Sequence, residues 1–158
     1  MENVYIADGA RIEGDVTIGR DCGVFYNAVI RGDEDSIKIG ERTNIQDCAV
    51  LHVDKGHPLS IGDNCTIGHG AIVHGCTIGN NVLIGMGAIV MNDAVVGDDS
   101  IIGAGALVTQ NTVIPKRSIA FGNPAKVVKE MSDAAVAANL ENAETYVSLA
   151  REKMDRED

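Results

Sequence analysis

Tryptophan is absent, and only 3% of the 158 residues are aromatic. A core without large rings has to be filled by Ile, Val, Leu and Ala. Positive charge is also in short supply: 13 Lys and Arg against 23 Asp and Glu give a formal net charge of −10. That balance argues against function through electrostatic attraction to nucleic acid or to anionic membranes. No apolar run is long enough to span a bilayer, and the start Met1-Glu2-Asn3-Val4 is not signal-like. The four cysteines (Cys22, Cys48, Cys65, Cys76) lack CxxC spacing. Without a secretion signal they are expected to be reduced thiols of a cytoplasmic protein. The length suits one domain.

What the sequence does have is a rhythm. Aliphatic residues recur at Ile6, Ile12, Ile18, Val24 and Ile30, then at Ile39, Ile45 and Leu51. They resume at Ile61, Ile67 and Val73, then at Ile78, Ile84, Val90, Val96, Ile102, Val108 and Ile114. The last slot is Ala120. Most steps are six residues; 30 to 39, 51 to 61 and 73 to 78 are the exceptions. Small residues such as Cys22, Ala28, Ala49, Cys65, Ala71, Ala88 and Ala106 follow the anchors four places on. This is the hexapeptide pattern of a parallel β-helix. Each hexad supplies a short strand and a corner, and three hexads close a triangular coil. Coils stack about 4.8 Å apart. A sandwich of ordinary short strands would not hold one period over so many slots.

The fold expected is therefore all-β, a parallel β-helix of about six coils within residues 1–128. Known hexapeptide-repeat proteins, which the pattern resembles, wind left-handed, against the usual crossover rule. A C-terminal α-helix is expected within 129–158. Pro115 and Pro124 end the regular coils, Ser132 is a plausible N-cap, and Val136, Leu140, Ala143, Val147, Ala150 and Met154 recur at helical spacing. The apolar stripe of this helix must cover either the β-helix wall or a neighbouring subunit.

Stacking turns the sequence into columns. After Ile18, Ile39, Ile61, Ile78 and Val96 come Gly followed mostly by Asp or Asn, generic corner chemistry that tolerates positive φ. Ile30, Leu51 and Val73 share another face, and the residues after them, Arg31, His52 and His74, point outward in one column. Imidazoles one coil apart can converge on a cation at about 2.0–2.1 Å per bond. His69 follows Ile67 by two and falls at a corner, its Cα about 15 Å from that of His74. One metal shared by all three is strained within a chain. A threefold assembly removes the strain, with His52 and His74 from one subunit and His69 from its neighbour. Unrelated surface histidines are the bland alternative, and His57 is read as a loop residue. Asp47 sits at the corner one coil below His69, with Gln46 beside it. Arg31 and Asp33 read equally as an ordinary interface ion pair. Cys22 and Cys65 read as core, Cys48 and Cys76 as corner thiols, Met86 and Met91 as packing.

Arg31-Gly32-Asp33-Glu34, Asn44-Ile45-Gln46-Asp47, His52, His69 and His74 within Gly68–Gly75, and the tail Phe121–Lys126 together resemble the γ-class carbonic anhydrase-like proteins of the hexapeptide-repeat superfamily. The resemblance covers nearly the whole chain. It implies a homotrimer with a metal at each interface, held by His52 and His74 of one chain and His69 of the next. The metal expected is Zn2+, with Fe2+ or Co2+ as alternatives. It implies roles for Gln46 and Asp47 beside metal-bound water, for Arg31 and Asp33 at the interface or toward bicarbonate, and for Glu34 near the active site. Fuller members carry an acidic loop with a proton-shuttling glutamate between the first two histidines; here Val53–Ser60 has no glutamate. The activity implied is reversible hydration of carbon dioxide, weakened by slow proton export. Two rivals share the fold: a hexapeptide-repeat acyltransferase or acyl-CoA thioesterase, and a non-catalytic trimeric metal-binding scaffold.

Overall fold

Residues 3–157 are described in a computed structural model. They form a parallel β-solenoid of about six turns, left-handed in class, followed by one helix. Three flat faces meet at tight corners. The first face stacks Tyr5–Ile6, Gly23–Val24, Asn44–Ile45, Thr66–Ile67, Leu83–Ile84, Ile101–Ile102 and Ser118–Gly122 in parallel, and Ala125–Glu130 returns antiparallel along its last strand. The second stacks the first halves of Arg11–Ile18 and Val29–Ile39 with Val50–His52, Ile72–His74, Ile89–Val90 and Leu107–Val108. The third stacks the second halves of those two long strands with Leu59–Ile61, Thr77–Ile78, Val95–Val96 and Val113–Ile114.

The rhythm explains the stack. Val24, Ile45, Ile67, Ile84 and Ile102 on one wall, Ile30, Leu51, Val73, Val90 and Val108 on the next, and Ile39, Ile61, Ile78, Val96 and Ile114 on the third are all buried. Each aliphatic side chain so buried contributes about 1.5–3 kcal/mol relative to exposure. Ala28, Ala49, Ala71, Ala88 and Ala106 fill one converging corner, where a longer side chain has no room. The third-to-first corner turns on Asp21, Arg42, Asn64, Asn81, Asp99 and Arg117, all at φ between 52° and 57°. Ile6, an anchor by count, is 41% exposed instead; among the described residues its strand pairs on one side only, with Gly23–Val24. Cys76, like Cys22 and Cys65, is buried; Cys48 is exposed, and no disulfide forms among the four.

Helix α1 spans Asp133–Glu157, with Ser132 Oγ accepting from the Ala135 amide at 3.1 Å as the N-cap. It lies along the first face of its own coil, over Tyr5–Ile6, Gly23–Val24 and Asn44–Ile45. Most of the chain's scarce aromatics gather beneath it: Phe25 sits 5.7 Å from Tyr5 and 5.4 Å from Tyr146, ring centre to ring centre. No helix among the described residues is long and apolar enough to cross a membrane.

Candidate metal centre

The second face pairs Arg31 with His52 and His52 with His74 in parallel register. One-coil spacing therefore stacks the imidazoles, both partly buried, with His52 Nδ1 3.0 Å from His74 Nε2. Their outer nitrogens are already engaged. His52 Nε2 lies 2.9 Å from Asp33 Oδ1, and a carboxylate only accepts, so the His52 hydrogen sits on Nε2. His74 Nδ1 lies 2.6 Å from Asn92 Oδ1. The Asn92 amide donates through Nδ2 to Asp54 Oδ2 at 2.9 Å, which fixes its orientation and puts the His74 hydrogen on Nδ1. With both rings neutral, the two inner nitrogens present lone pairs to each other. A cation, or a single proton shared between the rings, satisfies this arrangement. Two nitrogens on a tetrahedral Zn2+ at about 2.0–2.1 Å stand roughly 3.3 Å apart, close to the separation here. The donor set fits a metal.

Asp54 is the carboxylate grouped with the two rings as a possible third ligand. Ligand atoms from His52, Asp54 and His74 lie within 4.8 Å of one another, and His74 Nε2 is 3.9 Å from Asp54 Oδ1. The Asn92 bond, then the neighbouring His74 and His52, hold the Asp54 carboxyl below the usual carboxylate range. Bonding to His52, then to Arg31, does the same for Asp33. Arg31 and Asp33 form an ion pair, and Glu34 is exposed farther along the same strand.

His69 is elsewhere. It occupies the turn between the first and second faces, its ring half-exposed, with Nδ1 3.0 Å from Asp47 Oδ2. Within one chain it does not join the His52–His74 pair. Beside it Gln46 is buried, donating from Nε2 to Asn44 Oδ1 at 3.1 Å, and Asn44 in turn donates to Thr66 Oγ1 at 3.0 Å. Gln46 and His69 line one end of a groove of about 350 Å³ on the first face, floored by Gly68, Gly85 and Gly103 and walled by Asn142 and Tyr146 of α1. His74, Asp54 and Asn92 line a second hollow of about 280 Å³ with Ile72, Ile89 and Met91.

Asn92 escaped sequence reasoning, although a signal was there. It follows Val90 by two, as Gly75 follows Val73, so it stacks over Gly75. A Cβ on Gly75 would lie 2.3 Å from Asn92 Oδ1 and 2.9 Å from the His57 carbonyl. The glycine leaves the space through which Asn92 reaches His74. The short 53–60 segment folds back through an Asp54–His57 bridge, and His57 Nδ1 lies 2.9 Å from Asp93 Oδ1. The Asp93 bond and the carboxylates of Asp54 and Asp35 raise the His57 pKa above 6.5.

A triangular solenoid of aliphatic hexads with an imidazole pair shaped to receive a cation defines a class, the hexapeptide-repeat β-helix proteins of metal-binding type. The family model described as bacterial transferase hexapeptide (six repeats) matches residues 75–110. A probable carbonic anhydrase of Methanocaldococcus jannaschii is 54% identical over 149 residues, 94% of each chain. Gamma carbonic anhydrase 2, mitochondrial, of Arabidopsis thaliana is 39% identical over 156 residues, 95% of this chain and 56% of that protein. A crystal structure of a hexapeptide transferase family protein from Anaplasma phagocytophilum superposes with a TM-score of 0.92 at 41% identity, covering 96% of this chain and 89% of that one. The chain belongs to the γ-class carbonic anhydrase-like lyases of the hexapeptide-repeat superfamily.

Proposed function

We propose that this protein is a metal-dependent carbonic anhydrase, interconverting carbon dioxide and bicarbonate at a site completed between protomers of a cytoplasmic homotrimer. The observation that carries the reading is the approach of His52 Nδ1 to His74 Nε2 at 3.0 Å, with the outer nitrogen of each ring held by an oxygen. His69 of the neighbouring protomer is the third ligand. Its Nδ1 faces Asp47, which leaves Nε2 as the donor. Each of the three rings then has one nitrogen braced by an oxygen and the other presented to the cation. Zn2+ is the metal proposed, with Fe2+ or Co2+ as alternatives, and it supplies Lewis acidity that brings the ionisation of water to about pH 7.

Surface shape supports the assembly. Ile72 and Ile89, with Leu107, form an outward aliphatic stripe in register beside the histidine column. Gly68, Gly85 and Gly103 floor the groove on the other side of the corner. Each glycine lies four residues before one member of the stripe, in the same coil. Rotation about an axis parallel to the solenoid changes no levels, which is compatible with stripe meeting groove and with His69 meeting His74 at one height.

Gln46, its Nε2 held by Asn44, orients substrate or water through the remaining amide valence. Asp47 and Glu34 handle the proton, and Arg31 with Asp33 closes the interface beside bicarbonate. The 53–60 segment lacks a glutamate, so proton export limits the rate and turnover is low. Stopped-flow hydration on fully metal-loaded protein tests the reading, together with metal content per chain and oligomer mass. One metal per subunit in a trimer and hydration above buffer background are expected; full occupancy without hydration overturns it. The likeness to a transferase-named structure favours a second reading, acyl transfer or thioester hydrolysis in the groove. Acyl-CoA turnover that survives chelation would select it.

A further inference from the structure

The Asp54 carboxylate has no part in the shared centre just described, yet its ligand oxygen lies within 4.8 Å of ligand atoms of both His52 and His74. Val53 is fully buried and pins the start of the short segment, and the His57 amide donates to the Asp54 carbonyl at 2.9 Å, turning the chain back over the pair. Asn92 then takes Oδ2 of the carboxylate at 2.9 Å, leaving Oδ1 on the His74 side, 3.9 Å from Nε2. The same amide bonds His74 Nδ1. One side chain therefore sets both the ring and the carboxylate around a common point. The arrangement contains two imidazole nitrogens and one carboxylate, a set suited to Zn2+, Co2+ or Fe2+. The carboxylate is 55% exposed and held on one oxygen by Asn92, which leaves the other free to turn toward a cation.

We propose that each protomer carries its own cation half-site, made of His52 Nδ1, His74 Nε2 and the Asp54 carboxylate, which takes a divalent cation before a neighbour's His69 arrives. The proposal rests on the metal-centre reading above but adds a ligand and an order of events that reading does not contain. Asp54 draws the cation to the subunit that supplies two of the three histidines. His69 of the next subunit then displaces the weaker oxygen ligand, and Asp54 returns to Asn92. Metal loading thereby precedes, and promotes, closure of the interface.

Co2+ alone, titrated into metal-free full-length protein and followed by visible absorption, tests this. Three variants are compared with the parent: His69→Ala, His69→Ala with Asp54→Asn, and His69→Ala with Asp54→Ala, the last guarding against an amide ligand. Circular dichroism checks the fold of each. The expected result is that His69→Ala still binds one Co2+ per chain, more weakly than the parent. Removing Asp54 as well then lowers affinity by a further factor of about 10–100 and changes the spectrum, as expected for a lost ligand or a lost brace on one. No Co2+ binding to His69→Ala overturns the half-site and leaves the shared centre standing. Equal binding with and without Asp54 overturns the part given to the carboxylate. Parent-like affinity and spectrum in His69→Ala overturn instead the neighbour's contribution to the shared centre.

Discussion

Asn92 bonds a ring and a carboxylate with one amide, so its removal separates orientation from ligation. Asn92→Ala leaves all imidazoles in place, and the expected outcome is a cation affinity lower by about 10- to 100-fold with an unchanged far-ultraviolet spectrum, read by calorimetric titration. Gly75→Ala forces a methyl to within 2.3 Å of Asn92 Oδ1, and it is expected to weaken cation binding in the same way from the opposite side. His57 gives a pH test. Its folded pKa is raised by Asp93, so its pairing stabilises the fold fully below the unfolded value near 6.5 and is lost as pH rises through the folded pKa. An NMR titration of the ring in Asp93→Asn is expected to move that pKa down. At this scale the stacking of His52 on His74 was legible, because an anchor count gives register. Asn92 and Asp54 were not. Asn92 lies one coil above Gly75 after a five-residue step, and Asp54 lies in an insertion where the period breaks.

At the scale of the element, the helix docks by polar as well as apolar contacts. Ala143, Val147 and Ala150 are buried as the spacing predicts, yet Leu140 of the same stripe is 43% exposed. Asn139 takes the buried position instead, its amide 3.4 Å from the carbonyls of Asn81 and Ser100, and Asn142 donates to Thr66 Oγ1 at 3.0 Å. The first face exposes backbone and hydroxyl groups at its corner, so an amide satisfies what a leucine would leave bare. Apolar periodicity cannot anticipate that, because asparagine reads as surface. Salt bridges from Arg42 to Glu144 and from Arg151 to Asp21 tie down the rest, both exposed and of small worth. Val147→Ala is expected to cost about 2 kcal/mol, measured by urea unfolding.

At the scale of the whole molecule, the hexads make the three walls and their order readable in the sequence, since one aliphatic residue per step fixes both wall and level. The exposure of Ile6 was less readable, because it obeys the period and yet, among the described residues, its strand has a neighbour on one side only. The proposed trimer depends on the aliphatic stripe. Ile89→Glu adds a charge to it without touching the buried anchors, and the expected outcome is dissociation to single chains with the fold intact, read by sedimentation equilibrium. The far end of the solenoid has a different consequence. A parallel stack of coils ends in a row of unpaired amides and carbonyls on which more strands can template. Here Ala125–Glu130 runs back antiparallel along Ser118–Gly122 and shows Lys126 and Lys129 to solvent. An incoming copy meets reversed strand polarity and two exposed lysines at that wall, which works against end-to-end addition of strands there.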